Sequence, residues 1–335
     1  MKAVWLSQGK AAFRPDAPEP PFREGLAMKV LLAGVCGTDL QLVRGYAGFE
    51  GILGHEFVAQ LEDQGEVAEL PRPASGLSWK RRRVVGEINV PCQDCPQPSP
   101  DCARHCPSRT VTGIRGRGGA FAERLRLPAC NLHPVDDRLS DEAAVFCEPL
   151  AAALQVQETG CISAHESVLV VGAGRLGQLI ARVLLDSGCR LQVSAKHASQ
   201  ALLLSRHGIQ PLAPEAVPGR SYEVAVEATG SPEGLAAALH AVKPRGRVIL
   251  KSTYAQVSGG AGAGPAAAID FSRIVVDEIQ LLGSRCGPFA AALRLLESGR
   301  IDPRDLIDEV FPLEEAQEAL RKAAQAGVLK VLLRP

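Results

Sequence analysis

Cys36 stands in the run Gly34-Val35-Cys36-Gly37-Thr38-Asp39, and His55 follows nineteen positions later in Gly54-His55-Glu56. A thiolate and an imidazole are both good zinc ligands, and two of them in a short stretch can share one ion. Farther along, Glu148 sits in Cys147-Glu148-Pro149-Leu150. Soon after it, Gly172-Ala173-Gly174-Arg175-Leu176-Gly177 follows an apolar run and opens a helical pattern. In that setting a Gly-x-Gly-x-x-Gly loop points to a dinucleotide site. The first glycine permits the tight turn, and the second lets backbone approach a pyrophosphate. The helix N-terminus then offers free N–H groups to the phosphates. Zinc beside a dinucleotide is the layout of metal-assisted hydride transfer.

In this order, and with a cysteine-rich loop at 92–106, these segments resemble the zinc-dependent medium-chain alcohol dehydrogenases over nearly the whole chain. The resemblance implies that Cys36 and His55 bind a catalytic zinc and that Glu148 takes the third protein position. Relatives use cysteine or glutamate there, and Cys147 is adjacent, but the Glu-Pro-Leu context matches the glutamate-using branch. Glu56 is then an occasional ligand or sits just behind the metal. Asp39 is expected to hydrogen-bond His55 and fix its tautomer. A lone histidine in an apolar setting is more often a packed core residue, but here Cys36, Glu56 and Glu148 fall in register with it.

Thr38 occupies the place of the hydroxyl that receives the substrate proton in relatives. Many relatives also carry a relay histidine five residues after the ligand cysteine. Here that residue is Gln41, whose amide does not titrate, so the histidine relay does not carry over.

Cys92, Cys95, Cys102 and Cys106 lie within fifteen residues. Four clustered thiolates fit a closed structural zinc. The family places the third cysteine three residues after the second, where this chain has Pro98, so Cys102 must move in. A degenerate site with free thiols is the alternative, with His105 as a weaker substitute ligand. Cys130, Cys161, Cys189 and Cys286 are isolated and are expected to be small buried hydrophobes.

The strand after the glycine loop bears on the choice of dinucleotide. An NAD enzyme normally has an acidic residue about 20 positions on, bonded to the ribose. The matching segment is Val193-Ser194-Ala195-Lys196-His197, with no acid and two basic residues. A 2′-phosphate is welcomed by Lys196 and His197, so NADP is favoured over NAD. Thr229, in Glu227-Ala228-Thr229-Gly230, is expected beside the ribose. By resemblance Lys330 reaches the pyrophosphate, with Arg285 a weaker candidate. A surface ion pair is the plain alternative for either.

The sequence says less about the substrate. Ile88 takes a pocket-lining place in relatives, and Tyr46 and Phe49 fall between the metal motifs, though core packing explains each equally well. Arg115 and Arg117 lie in a glycine-rich stretch. The glutamate-using branch includes polyol, sugar and threonine dehydrogenases, which implies a polar secondary alcohol and its ketone. The rival readings are a zinc-independent enone or quinone reductase of the same fold, which lacks these ligands, and a non-catalytic NADP-binding or structural protein.

The elements that must position these residues divide the chain in two. Residues 1–148 are punctuated by glycine and proline and hold short strands such as 28–32 and 83–86, an irregular, mainly β domain. After Pro149 strands and helices alternate: strands at 167–171, 190–194, 222–227, 246–251 and 279–282, helices at 176–187 and 200–207. That spacing implies a parallel, doubly wound sheet, so the fold class is α/β. The Ala- and Gly-rich stretch 257–268 is expected as a surface loop. Helices at 289–298 and 313–326 and a strand at 328–333 end the chain. By resemblance this tail returns to the first domain. Residues 1–148 with 286–335 then form a GroES-like catalytic domain, and 149–285 form a Rossmann cofactor domain.

Composition limits the alternatives. At 335 residues the chain can bury two cores. It has 37 Lys plus Arg and 37 Asp plus Glu, and a net charge of zero argues against a nucleic acid or anionic membrane partner. The basic run Lys80-Arg81-Arg82-Arg83 fits a solvated turn. No signal-peptide pattern is present, and no apolar run reaches the ~18 residues that span a bilayer. The expected setting is therefore the cytoplasm. Relatives of this kind assemble as dimers or tetramers, which implies a homodimer or homotetramer here.

Overall fold

The computed structural model describes residues 1–62, 82–92, 104–253 and 270–335. Lys80, Arg81, Cys95, Pro98, Cys102 and the stretch 257–268 lie outside these described residues. The chain divides into one unit of Met1–Glu148 with Phe289–Pro335 and a second of Pro149–Pro288. The chain re-enters the first unit at Phe289, slightly beyond position 286.

In the first unit apolar and β-branched runs pair into a mixed sheet. Its strands run Leu132–Pro134, Arg83–Gly86, Glu56–Leu61, Leu26–Gly34, Lys330–Arg334 and Ile307–Pro312, with Arg124–Leu127 also paired to Leu26–Gly34. The two tail strands are parallel, so their connection must cross over, and the helix Ala316–Ala323 lies in it. This helix is shorter than the expected 313–326, because Leu313–Glu315 forms a separate 3-10 turn before it. Met28, Val30, Phe57 and Ala59 pack with Leu313, Ala316, Leu320 and Leu333 in one core. Register matters for the site: Gly34 is paired with Leu332 on one side and with Glu56 on the other. That pairing brings residues 34, 56 and 330 together across almost 300 positions of sequence.

In the second unit six parallel strands lie in the order Gln210–Leu212, Arg190–Ser194, Ser167–Val171, Tyr222–Glu227, Val242–Leu250 and Gln280–Gly283. Numbered in chain order this is 3-2-1-4-5-6, the doubly wound arrangement. The strand expected at 246–251 begins earlier, at Val242, and ends at Leu250. Leu169, Val171, Ala225 and Val248 are buried under Leu235, Ala238 and Leu239 of the helix Pro232–Ala241. Chain order reverses between Ser167–Val171 and Tyr222–Glu227. Sheets of this kind bind ligands outside the carboxyl ends of the strands at that reversal. The Gly172 turn and the segment 228–230 leave the sheet there.

Candidate active site

Cys36 follows the strand Leu26–Gly34 and caps the helix Gly37–Val43. Asp39, fully buried in the first turn, accepts a hydrogen bond from the Cys36 backbone N–H at 2.8 Å. The cap fixes the direction in which the thiol leaves the strand. His55 begins where Gly54 turns at φ 94°; a Cβ on Gly54 would lie 2.3 Å from Phe121. That close approach requires glycine and sets His55 in the interior.

The Cys36, His55 and Glu56 donor atoms all lie within 4.8 Å of one another. His55 Nδ1 and Asp39 Oδ1 are 3.3 Å apart, close enough for an ion pair but without well-formed hydrogen-bond geometry. Burial pushes the imidazole down, but Asp39 and Cys36 outweigh it and raise His55 well above the usual histidine range. Thiolate, imidazole and carboxylate are the donor set zinc takes, so these residues fit the metal.

Glu148, half-buried in the first turn of the helix Cys147–Gly160, is not a member of the three-residue group. Its neighbour Cys147 is buried and points its thiol at the Phe289 carbonyl at 3.7 Å. Burial, then Glu148, pushes that thiol well above the usual range. Cys147 is likewise not a member of the three-residue group.

The three glycines of the Gly-x-Gly-x-x-Gly loop have different local settings. Gly172 has φ 104° and faces Thr229, whose Cγ2 would be 2.7 Å from an added Cβ. A Cβ on Gly177 would lie 2.0 Å from the Gly172 carbonyl oxygen, so helix and turn touch. Gly174 caps the helix Arg175–Asp186 and has nothing within 4 Å of an added Cβ. Open space at a helix N-terminus, with Arg175 and Leu176 in the first turn, is what an approaching phosphate needs. Beyond the next strand Ala195 is buried, Lys196 is exposed and His197 caps the helix Ala198–Arg206.

Two family comparisons match this layout. Residues 23–137 match the Alcohol dehydrogenase GroES-like domain, and residues 165–329 match Zinc-binding dehydrogenase. The chain belongs to the zinc-dependent medium-chain alcohol dehydrogenases. An erythritol/L-threitol dehydrogenase of Mycolicibacterium smegmatis is 28% identical, over 96% of this chain and 93% of its own. D-arabinitol dehydrogenase 1 of Uromyces fabae is 27% identical, over 92% and 89%. A solved structure described as a zinc-binding dehydrogenase of Sinorhizobium meliloti 1021, bound to NADP, superposes with a TM-score of 0.84 at 27% identity, covering 100% of this chain and 99% of that one. The expected GroES-like and Rossmann fold class and the alcohol dehydrogenase activity accord with these matches, as does a requirement for zinc and a nicotinamide cofactor.

Several residues of this dehydrogenase stand elsewhere than the sequence led us to expect. Lys330, expected at the pyrophosphate with a surface ion pair as the alternative, is buried instead: it and Glu56 are each 2% exposed, and its ammonium pairs with the Glu56 carboxylate. The ammonium also lies 5.4 Å from the centre of the Phe146 ring. Gly34 makes room for the pair, since a Cβ there would be 2.5 Å from Glu56 Oε2. Sequence reasoning missed Gly34 and Phe146. The available signal was a glycine at a strand end two residues before a ligand, the mark of a close approach.

Arg117 is occupied, pairing with Glu24 at 3.2 Å and bonding Thr110, whereas Arg115 is exposed. The Arg285 carbonyl accepts from Lys251. Ile88 is buried, and Tyr46 and Phe49 pack on the core. Gln41 has its side-chain oxygen buried without a hydrogen-bond partner among the described residues.

Of the cysteine-rich loop, Cys92 and Cys106 are described, and their sulfurs lie 3.4 Å apart. That is near the ~3.8 Å separating two sulfurs at ~2.3 Å from one tetrahedral zinc. The isolated cysteines need correction: Cys189 is buried, but Cys130 and Cys161 are exposed and Cys286 is intermediate. Cys130 lies in the surface 3-10 turn Ala129–Asn131, and Cys161 follows a helix end at φ 46°. Neither position is covered by a neighbouring layer.

No helix among the described residues is long and apolar enough to cross a membrane.

Proposed function

We propose that this dehydrogenase oxidises a secondary hydroxyl of a polyol or sugar-derived alcohol to the ketone, with NADP preferred over NAD. The observation that carries this reading is the cluster of Cys36, His55 and Glu56, in which His55 and Glu56 are buried and Cys36 is half-buried. The substrate class rests on the relatives, which include a D-arabinitol and an erythritol/L-threitol dehydrogenase. The preference for NADP rests on the absence of an acid at Ala195 and the exposed cation at Lys196. Solved structures of this fold hold NADP in one case and NADH in another, so the preference rests on these residues alone.

In this reading Cys36, His55 and Glu148 hold the catalytic zinc. Cys92, Cys95, Cys102 and Cys106 hold a structural one. Bound zinc supplies a Lewis acid that lowers the proton affinity of an alcohol and polarises the ketone in reverse. Thr38 Oγ1 lies 3.8 Å from Cys36 Sγ, where its hydroxyl can accept the alcohol proton. Asp39 orients both Cys36 and His55. Gln41 can pass a hydrogen bond but cannot store a proton, so the proton leaves past Thr38 by another route. Gly172, Gly174, Arg175, Leu176 and Gly177 seat the pyrophosphate, Thr229 meets the ribose, and Lys196 with His197 meets the 2′-phosphate. Lys330 is placed to tune Glu56 beside the metal. The assembly is a homodimer or homotetramer in the cytoplasm.

The test is a fluorescence titration with NADPH and NADH, followed by a panel of polyols with the bound dinucleotide. We expect NADPH to bind more tightly, and Lys196→Ala to weaken NADPH roughly tenfold more than NADH, a loss of about 1.4 kcal/mol. Equal effects on both dinucleotides would remove the 2′-phosphate argument.

A further inference from the structure

We propose that Glu227 is a positioning residue of the dinucleotide site: its buried carboxylate fixes the 228–230 segment as a wall against the Gly172 turn. This rests on the reading of residues 172–177 as the dinucleotide loop.

Glu227 ends the strand Tyr222–Glu227 and is fully buried. One carboxylate oxygen, Oε1, accepts from the Thr229 backbone N–H at 2.6 Å, the Thr229 hydroxyl at 2.5 Å and the Gly230 N–H at 2.9 Å. Three donors on one oxygen close a tight loop in which Gly230 takes φ 70°. Thr229 is exposed, so burial contributes little to fixing it and the carboxylate supplies the restraint. The loop is also tied by its backbone, since Ala228 N–H donates to Val171 and Lys251 N–H donates to the Glu227 carbonyl, each at 3.0 Å.

What the loop touches gives this restraint a functional reading. The Thr229 methyl and the Ala228 backbone are the nearest atoms to a Cβ placed on Gly172, at 2.7 and 3.3 Å. A displacement of 228–230 is therefore transmitted directly to the turn that must admit the pyrophosphate.

The two helices that begin at this edge of the sheet are treated differently. The helix Arg175–Asp186 starts at Gly174, beside open space. The helix Pro232–Ala241 starts beside Glu227, whose Oε1 is 2.9 Å from a Cβ placed on Gly234, while Ser231 caps the Gly234 N–H at 3.0 Å. A carboxylate complements the positive end of this second helix from within the fold. A ligand phosphate is thereby left with the first helix as its seat.

The experiment uses the full-length, zinc-loaded enzyme with Glu227→Ala, Glu227→Gln and Thr229→Val. Dissociation constants for NADPH and NADH, the KM of the cofactor, kcat and zinc content are measured for each. We expect Glu227→Ala to raise the cofactor Kd and KM roughly tenfold, equivalent to about 1.4 kcal/mol, with kcat and zinc content within about twofold of wild type. Glu227→Gln retains an acceptor oxygen and should stay within about threefold of wild type in cofactor affinity. If Glu227→Ala does not fold, Thr229→Val carries the test, because it removes one donor to Oε1 and keeps a methyl against Gly172; its expected loss is about threefold in cofactor affinity. Wild-type affinity in the Ala or Val variant overturns the proposal. So does a Gln variant as impaired as Ala, since a positioned acceptor would then not be the cause. A wild-type protein that binds neither dinucleotide overturns the reading of the glycine loop itself, before any variant is compared.

Discussion

Lys330→Met is the substitution whose consequence follows most directly from the buried geometry. Both partners of the Lys330–Glu56 pair are 2% exposed. Methionine keeps an apolar stem in the space beside Phe146, so the loss is mainly of charge rather than volume. Glu56 is left in a low-dielectric site without its counter-ion. Removing one member of a buried pair costs roughly 3–5 kcal/mol. For a unit of about 200 residues each kcal/mol shifts the melting temperature by ~2–4 °C, so the metal-stripped protein should melt about 6–20 °C lower. Chelation is needed because a divalent cation at Cys36 and His55 would restore a counter-charge to Glu56. The Glu56→Gln, Lys330→Met double variant should recover most of the loss, because no uncompensated charge remains. The assay is thermal unfolding of the four proteins in chelator. A loss below about 1 kcal/mol in Lys330→Met, or simple additivity in the double variant, would refute the reasoning.

The remaining predictions concern the metal, the glycine loop and pH. Cys36→Ser and His55→Ala should each abolish turnover while leaving NADPH affinity within about twofold, because the dinucleotide contacts lie elsewhere; retained turnover in both would count against the zinc mechanism. Gly174→Ala should fold normally, since nothing lies within 4 Å of its new Cβ, yet lose dinucleotide affinity; an unchanged Kd would mean the phosphate does not approach there. Gly177→Ala should instead destabilise the fold by roughly 1–3 kcal/mol, because its Cβ would meet the Gly172 carbonyl oxygen at 2.0 Å; an unchanged melting temperature contradicts this. Burial pushes Glu223 up, but Lys243 and Ser167 outweigh it and hold it at about 2, below its ordinary 4.5. A depressed folded-state value stabilises the fold above pH 4.5, and that contribution is lost as pH falls towards 2. Glu223→Gln should flatten that part of the acid unfolding curve, and an unchanged curve would show that the pair does not contribute.

Features set by local sequence patterns were legible in the chain, and those set by long-range strand pairing were not. The glycines at 172, 174 and 177 were legible because each role is set by its immediate neighbours in the turn. Five of the six parallel strands were legible because strand and helix periodicities alternate within short windows, whereas Gln210–Leu212 was missed, being three residues long with a proline at its centre. Lys330 was not, because its burial depends on Leu332 pairing with Gly34 and Gly34 with Glu56, and no local window contains those three strands. A lysine in the tail reads as a pyrophosphate contact or a surface ion pair until its partner strands are known. Glu227 was legible as part of a strand end but not as a clamp, because its three bonds depend on how the chain turns after the strand. Cys130 and Cys161 show the opposite failure. Residue type alone implied burial, but both sit where the chain turns at the surface.

Alcohol oxidation by this enzyme requires, in our proposal, the metal held around Cys36 and His55. The most direct test is the turnover of a polyol with saturating NADPH-forming substrate, NADP, before chelation, after chelation and after zinc is returned. Activity should fall to background in the stripped enzyme, with dinucleotide binding retained, and should return on addition of zinc. Full turnover by protein shown to contain no zinc would rule out the metal-dependent mechanism.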